Sequence, residues 1–517
     1  RLGRIDQALV TRQMFRADLA AEVERQSGCT CVPVLILDGH ARIAGSATSG
    51  IAVKVLGCPP EFFSLLPAGE GPPIPIPEGR KALVNAALAE DLGAAVGDAI
   101  LLSIPRDAQA PTGTAFARRA RGDSLKTLRL EARPTQQLGL DRFSLRNDQP
   151  RPRNLYVSLA WLQEQAALPG RANAILSIGS ADLTPALARC VRADDYGLVL
   201  AQDRDGIVLT SRTFLLPETV VAAAGRLSGW KARRSSAYLA NEIALVRDGH
   251  VVAAIPYSLV MGLSPAGDAL APESGCALLN RWAAEDLGAE PGDRLRLSWY
   301  RTRPNGDLAT EGRTFSLQGV IETELAAALS SLVPAYAGMT DAEQMGDWNP
   351  PFPIELKKIR PRDEDYWQTY RTAPKLLLAL ADLQTLWQPY QEPAATATAQ
   401  APGITALRLQ PIAGSKTASA SERLQALDRL ITARIATSPL ALRFLPVRQT
   451  ALAAAQGSTD LGILFLSLGA FLIASALGLV YLFFRLLVEG RAKQIGILLA
   501  LGFRQRQVRR LLLAEGA

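Results

Sequence analysis

The residues with the greatest chemical capacity are few and thinly spread. Histidine occurs twice in 517 residues, at His40 and His250, and each follows an Asp-Gly pair. Two imidazoles could share a metal ion, but no cysteine or carboxylate cluster accompanies either one in the sequence. A histidine just past an Asp-Gly turn is ordinarily a solvated turn residue, and that is the role expected here. Glu90-Asp91 and Glu285-Asp286 are adjacent carboxylates of the type that acid–base chemistry uses. Both pairs fall in the last turn of a short helix, where an exposed face is the expected position. Cys29, Cys31, Cys58, Cys190 and Cys276 are too few to staple a chain of this size. The Cys-x-Cys spacing suits neither a zinc knuckle nor a redox Cys-x-x-Cys. A single bridge from Cys58 to Cys29 or Cys31 and a set of unpaired buried thiols are both open.

The motifs of catalysis are missing. There is no G-x-x-x-x-G-K-[ST] loop, so ATP hydrolysis by this chain is not expected, and neither G-x-S-x-G nor H-E-x-x-H occurs. No enzyme, cofactor or metal is expected. The net charge of +7 invites a nucleic-acid reading, but residues 485–517 hold seven basic and two acidic residues, which is +5 of the total. The remainder is close to neutral and offers no footprint for a polyanion. A basic segment beside anionic membrane lipid is the simpler account.

That segment follows the most distinctive stretch of the chain. From Leu461 to Phe484 no residue is charged. A helix of that length reaches about 36 Å, enough to cross a hydrocarbon core with some tilt. Lysine and arginine concentrate on the cytoplasmic side of membrane helices, so the C-terminal end is expected in the cytoplasm and residues 1–460 outside. Ala470, Ala474 and Gly478 recur every fourth position and would let another helix pack closely. Beyond the span, Gly502 interrupts a short apolar helix, Ile495 to Leu501. A basic amphipathic segment follows, with Phe503, Val508, Leu511 and Leu512 apolar.

Ahead of the span the chain repeats itself. Residues 82–103 and 277–298 are identical at 13 of 22 positions, with an asparagine to cap a helix, a glycine to end it, and a Gly-Asp turn into a strand. Asp38-Gly39 and Asp248-Gly249 each signal a β-hairpin, so the two histidines are expected at equivalent places of one hairpin–helix–strand unit. Residues 4–26 read as an amphipathic helix through Ile5, Leu9, Met14, Leu19 and Val23. Residues 153–177 read strand, helix capped by Ser158, Pro169-Gly170 turn, strand. A helix is expected near Pro217, and another over 421–436 with Leu424, Leu427, Leu430, Ile431 and Ile435 on one face. The expected fold class is an α+β extracytoplasmic domain with an internal hairpin–helix–strand repeat, followed by a transmembrane α-helix. The boundaries expected are 1–235 for the core with the first copy and 236–330 for the second. A Pro/Trp-rich insertion and flexible linker take 331–403, with Trp348, Trp367 and Trp387 forming a small core of the insertion's own. A return strand, helix and stalk take 404–460, the transmembrane helix 461–488, and the cytoplasmic segment 489–517.

The run R-A-K-Q-I-G-I-L-L-A-L-G-F-R-Q-R-Q-V-R-R-L-L-L-A-E-G, residues 491–516, resembles the segment after the second membrane helix in FtsX/MacB-like ABC transporter permeases. That family usually has an acidic residue where this chain has Gln494. The resemblance implies a permease subunit that couples ATP hydrolysis by a separate cytoplasmic ATPase to work on a substrate outside the membrane, as efflux or lipoprotein release. It implies an ATPase contact at Gln494, Ile495, Gly496, Ala500, Gly502, Phe503 and Arg504. It also implies a second permease subunit, identical or different, and a multi-pass protein of the bacterial inner membrane with a periplasmic domain. One membrane helix would precede Arg1 and at least two would follow Ala517. The alternative is a single-pass sensor or adhesion protein with a ligand-binding ectodomain.

Overall fold

The computed structural model describes residues 2–516 except 47–48, 68–73, 106–124, 136, 146–150, 205, 265–268, 303–307, 337, 349–353, 388–402, 413–418, 439 and 456–460. The chain divides into two units, Arg1–Arg448 and Gln449–Ala517.

One plan is used twice in the first unit. In the first half, β1 (Gln7–Arg16) leads through the helix Leu19–Ser27 to β2 (Cys31–Ile43), β3 (Ile51–Cys58), β4 (Lys81–Asn85) and β5 (Ala99–Pro105). Then come β6 (Leu125–Thr135), β7 (Asn154–Ser158) and β8 (Arg171–Ser177). Strands pair in the order β2-β3-β7-β4-β6-β5, and β5 pairs back to β2, so six strands close into a barrel. The second half begins with the hairpin β9 (Leu198–Asp203) and β10 (Gly206–Ser211), followed by the helix Glu218–Gly225. It continues with β11 (Trp230–Arg247), β12 (His250–Leu263), β13 (Cys276–Asn280), β14 (Arg294–Thr302), β15 (Leu308–Ile321), β16 (Leu376–Ala379) and β17 (Ala406–Pro411). Its ring runs β11-β12-β16-β13-β15-β14 and closes on β11, with the same sequence of parallel and antiparallel pairs. Closure leaves neither ring with a free edge. Outside the rings, β8 pairs with β2 and β1, and in the same way β17 pairs with β11 and β10.

Each ring is filled by its inward residues: Leu35, Val55, Val84, Leu102 and Leu130 in the first, Val260, Leu279, Leu297, Leu317 and Leu378 in the second. A third core, with Leu9, Val23, Leu187, Val220, Leu409, Leu427 and Ile431, takes residues from both halves and from the helix Ala420–Ile435. Burial of each such side chain stabilises by about 1.5–3 kcal/mol, so the halves are held as one body.

The short repeat expected from sequence is the best-preserved part of this larger one. Asn85 accepts from the Leu88 amide and Asn280 from the Ala283 amide, each capping its helix. Gly93 and Gly288 end those helices in the left-handed conformation. The Gly97 amide then donates to Ala132 O at 2.9 Å, and the Gly292 amide to Leu317 O at 2.8 Å.

Several expectations need correction. Residues 4–26 are not one helix: β1 occupies 7–16, because pairing with β8 overrides the helical spacing. Asp38-Gly39 does not turn the chain. It lies inside β2, where a Cβ on Gly39 would sit 2.9 Å from Ser103 O, so the glycine serves a close backbone approach. Asp248-Gly249 is a true hairpin turn, with both residues at positive φ. The histidines are therefore not equivalent. His40 pairs with Ser103, and the residue that pairs with the matching Ser298 is Glu242. The boundary of the second copy moves as well. The expected insertion supplies β16 to the second ring, and Trp348, Trp367 and Trp387 belong to the ring's own core. Residues 388–402 of the expected linker lie outside the described residues. The helix Ala420–Ile435 forms, but Leu430 faces outward. Ser158 precedes its helix without a side-chain cap. All five cysteines are free thiols.

Candidate functional site

Among the described residues of the second unit, a short helix, Val447–Ala455, begins at its boundary, and three more follow: a long one, Leu461–Gly490, a connecting one, Ala492–Ala500, and a basic one, Gln505–Gly516. Leucine, phenylalanine and alanine are good or adequate helix formers, and the first break comes only after Glu489-Gly490. From Phe465 to Gly490 the long helix is sufficiently long and apolar to cross a membrane. Its described side chains are almost all exposed within the unit, with Ala470, Ala474 and Gly478 open along one stripe and no atom within 4 Å of a Cβ built on Gly478. At its C-terminal end Arg485 pairs with Glu489 one turn on, at 2.9 Å.

The turn between the two short helices is defined by backbone chemistry. Gly502 has φ +89°, the left-handed region that side chains resist. Its amide donates to Leu499 O, and the Phe503 amide to Leu498 O, both at 3.1 Å. This pair of bonds is the Schellman motif, which satisfies carbonyls that the helix end would otherwise leave bare. On the far side Gln507 Oε1 accepts from the Arg504 amide at 3.0 Å and so closes the start of the basic helix.

The structure brings some of the sequence-identified residues together and leaves others apart. Ile495 is half-buried and lines a groove of about 600 Å³ with Phe484, Val488, Leu499, Val508 and Leu512. Gln494, Gly496, Ala500, Gly502, Phe503 and Arg504 are exposed, and Phe503 keeps 44 % of its surface. The sequence reading missed one part of this arrangement and named another without its burial. One is the Gln507 cap, signalled only by a glutamine three residues past Arg504. The other is Val508, expected as an apolar position of the amphipathic segment and found to be the one buried residue of the basic helix among the described residues.

In the first unit the other candidates are dispersed. His40 and His250 are exposed on different barrels. Among the described residues no three of His, Cys, Asp and Glu are grouped so as to hold a metal ion. Glu90 and Asp91 pair with Arg151 and Arg153 on the surface. Glu285 is exposed, but the Asp286 carboxylate is covered, contrary to expectation, because Arg360 and Arg362 close over it. Lys375, at the register position that Asn154 fills in the first half, lies buried beside Asp363 at 3.3 Å and over the rings of Trp282 and Tyr366.

Residues 466–517, the long helix with the whole turn-and-cap arrangement, match the FtsX-like permease C-terminal family. The C-terminal segment is FtsX-like. No curated protein matches the chain. Among solved structures, the extracellular domain of the noncanonic ABC-type transporter YknZ from Gram-positive bacteria aligns at 12 % identity. It covers 37 % of this chain and 94 % of that one, with a TM-score of 0.24. The periplasmic region of MacB from Actinobacillus actinomycetemcomitans aligns at 11 % identity over 36 % of this chain and 85 % of that one, with a TM-score of 0.23. In the FtsX-like segment, then, the family match and the physical reading fall on the same residues: an apolar helix able to span a membrane, followed by a stiff turn displayed on the basic side.

Proposed function

We propose that the chain is part of a permease subunit of an ABC-type transporter of the FtsX/MacB-like, mechanotransmission kind. A partner ATPase in the cytoplasm hydrolyses ATP, and the FtsX-like segment takes up its movement. The observation that supports this most directly is the Gly502 turn. It joins two capped helices into a knob, and Phe503 projects from it unburied. A capped, hydrogen-bonded turn transmits displacement, whereas a frayed one would absorb it. Gln494, Ile495, Gly496, Ala500, Gly502, Phe503 and Arg504 form the ATPase contact in this reading. Ala470, Ala474 and Gly478 form the packing stripe for another membrane helix, from the same or a second permease subunit. The β-rich unit works outside the bacterial inner membrane on the substrate, in efflux or lipoprotein release, and the basic helix lies against anionic lipid.

The test is ATP hydrolysis and transport by the assembled complex, with co-purification of the ATPase. A β-branched side chain cannot adopt the backbone of Gly502 without strain, so Gly502→Val should uncouple hydrolysis from transport. Phe503→Ala should reduce retention of the ATPase by about tenfold, the scale of one buried aromatic contact. Both variants keep the apolar span and should insert normally. Wild-type coupling and retention in both would leave the segment a lipid-facing basic helix and nothing more.

A further inference from the structure

The β-rich unit carries a second feature that the permease reading does not use. A groove of about 770 Å³ opens where the helices Leu19–Ser27 and Thr184–Cys190, strand β9 and the helix Ala420–Ile435 meet. Its volume is that of a cleft for a small molecule, typically about 300–1,000 Å³. The floor is apolar: Leu200 and Leu424 are half-buried there. The rim carries four exposed arginines, Arg25, Arg189, Arg192 and Arg429.

The acids in the groove are already engaged. Glu22 takes Arg16 and Arg192, each at 2.9 Å. Asp194 takes Arg171 and Arg212, at 2.8 and 2.9 Å. Asp428 accepts the Ala193 amide at 2.8 Å. Arg25, Arg189 and Arg429 have no carboxylate within 4 Å among the described residues. Three arginines without ion-pair partners among the described residues thus line one groove together with Leu200 and Leu424. Surface arginines alone would mean little, since one exposed charge in water is adequately solvated. What they share is one groove with leucine in its lining, where the local acids are already engaged.

The geometry points to a binding groove for an anionic amphiphile, a phosphate or carboxylate head joined to a short apolar body. Guanidinium groups bind such heads through paired, charge-assisted hydrogen bonds. The leucine floor would cover the first carbons of the body, at about 0.8 kcal/mol for each buried methylene. A free inorganic anion would use the rim and leave the floor unused. The groove stands on the β-rich unit alone and does not depend on coupling to an ATPase.

Calorimetric titration of the full chain in a neutral maltoside detergent tests this. The probes are dihexanoyl phosphatidylglycerol, dihexanoyl phosphatidylcholine and inorganic phosphate. The phosphatidylglycerol should bind, with the other two about tenfold weaker or worse, the scale of a lost charge-assisted contact or a lost apolar floor. The double variant Arg25→Gln, Arg429→Gln alters only exposed side chains and should keep the unfolding temperature while weakening phosphatidylglycerol binding about tenfold or more. Leu424→Gln should weaken the lipid and leave phosphate unchanged. Equal affinity for both lipids, no loss in the double variant, or no lipid binding at all would overturn the proposal. Phosphate binding as tightly as the anionic lipid would overturn its amphiphile part and leave a plain anion site.

Discussion

Gly57 and Gly262 occupy the same place in the two barrels. A Cβ on Gly57 would lie 2.9 Å from Leu162 Cδ2, and one on Gly262 would lie 2.8 Å from Leu383 Cβ and 3.2 Å from Leu380 Cα. In each half the glycine sits on a ring strand, and the leucine sits on the helix that follows the strand's parallel partner. Both helices are thereby seated against their ring, over its core, at a distance only glycine allows. Gly262→Ala should destabilise by about 1–3 kcal/mol, the usual cost of an overpacked methyl. Gly57→Ala should cost less, because its nearest obstacle is the free end of a side chain. Thermal unfolding of the two variants in detergent would check the order; a larger loss for Gly57→Ala would refute this account of the contact.

Asn280 makes three bonds at once. Its Oδ1 caps the helix at Ala283, and its Nδ2 donates to Tyr366 Oη at 2.8 Å and to Pro374 O at 3.2 Å. Asn85 likewise caps Leu88 and donates to Asp141 O and Pro152 O. Asn280→Ala should cost about 2–3 kcal/mol, combining a lost cap with buried donors and acceptors left unpaired. Asn280→Ser keeps a capping oxygen and should fall between wild type and alanine. If the serine and alanine variants unfold together, capping contributes nothing here.

Lys375 should leave a pH signature. Burial pushes its ammonium down to about 8, against the pull of Asp363 in the other direction. An unfolded lysine titrates near 10.4, so between about pH 8 and 10.4 the unfolded chain holds a proton that the folded chain has released. Stability from this group therefore rises with pH across that window. The stability of wild type minus that of Lys375→Met should increase from pH 8 to 10. A flat or falling difference would mean that Asp363 holds the lysine charged throughout.

The thiols should separate by reach. Cys58 is buried and its pKa is driven well above the ordinary thiol value by burial; burial likewise pushes Cys31 up to about 11. Cys29 and Cys276 are half-buried. A maleimide reagent at pH 7 should label Cys29 and Cys276 in the folded protein and leave Cys31 and Cys58 until denaturant is added. Rapid labelling of Cys58 in the folded state would contradict the packing of the first barrel.

Local chemistry was readable in the sequence, and long-range pairing was not. The Asn85 and Asn280 caps, the Gly93 and Gly288 helix ends and the long apolar helix all follow from residues close together in the chain. The extent of the duplication was hidden because ring closure depends on contacts across large separations, such as β16 with β12 and β13. Only 13 of 22 positions in one segment kept their identity, while the rest of the two halves diverged under the same topology. Asp38-Gly39 misled for a related reason: a glycine that permits close approach of two backbones looks, from sequence, like one that permits a turn. In the C-terminal segment, Gly502 was legible as a break, since its requirement is local. The cover over Asp286 was not, because Arg360 and Arg362 come from far along the chain.

At the foot of the first unit the chain meets itself. Ala8 bridges to Leu445, and Arg448 reaches both the Asp6 carboxylate and the Gly3 carbonyl. Some 440 residues thus form a closed bag with a single drawstring. A tug along the chain at either neck is met at that knot, by a few hydrogen bonds and one ion pair, before any strand of either barrel bears strain. Within the unit, that closure is the first point to take load. Its first mechanical failure, under force, would be the loosening of the knot and not the tearing of a ring.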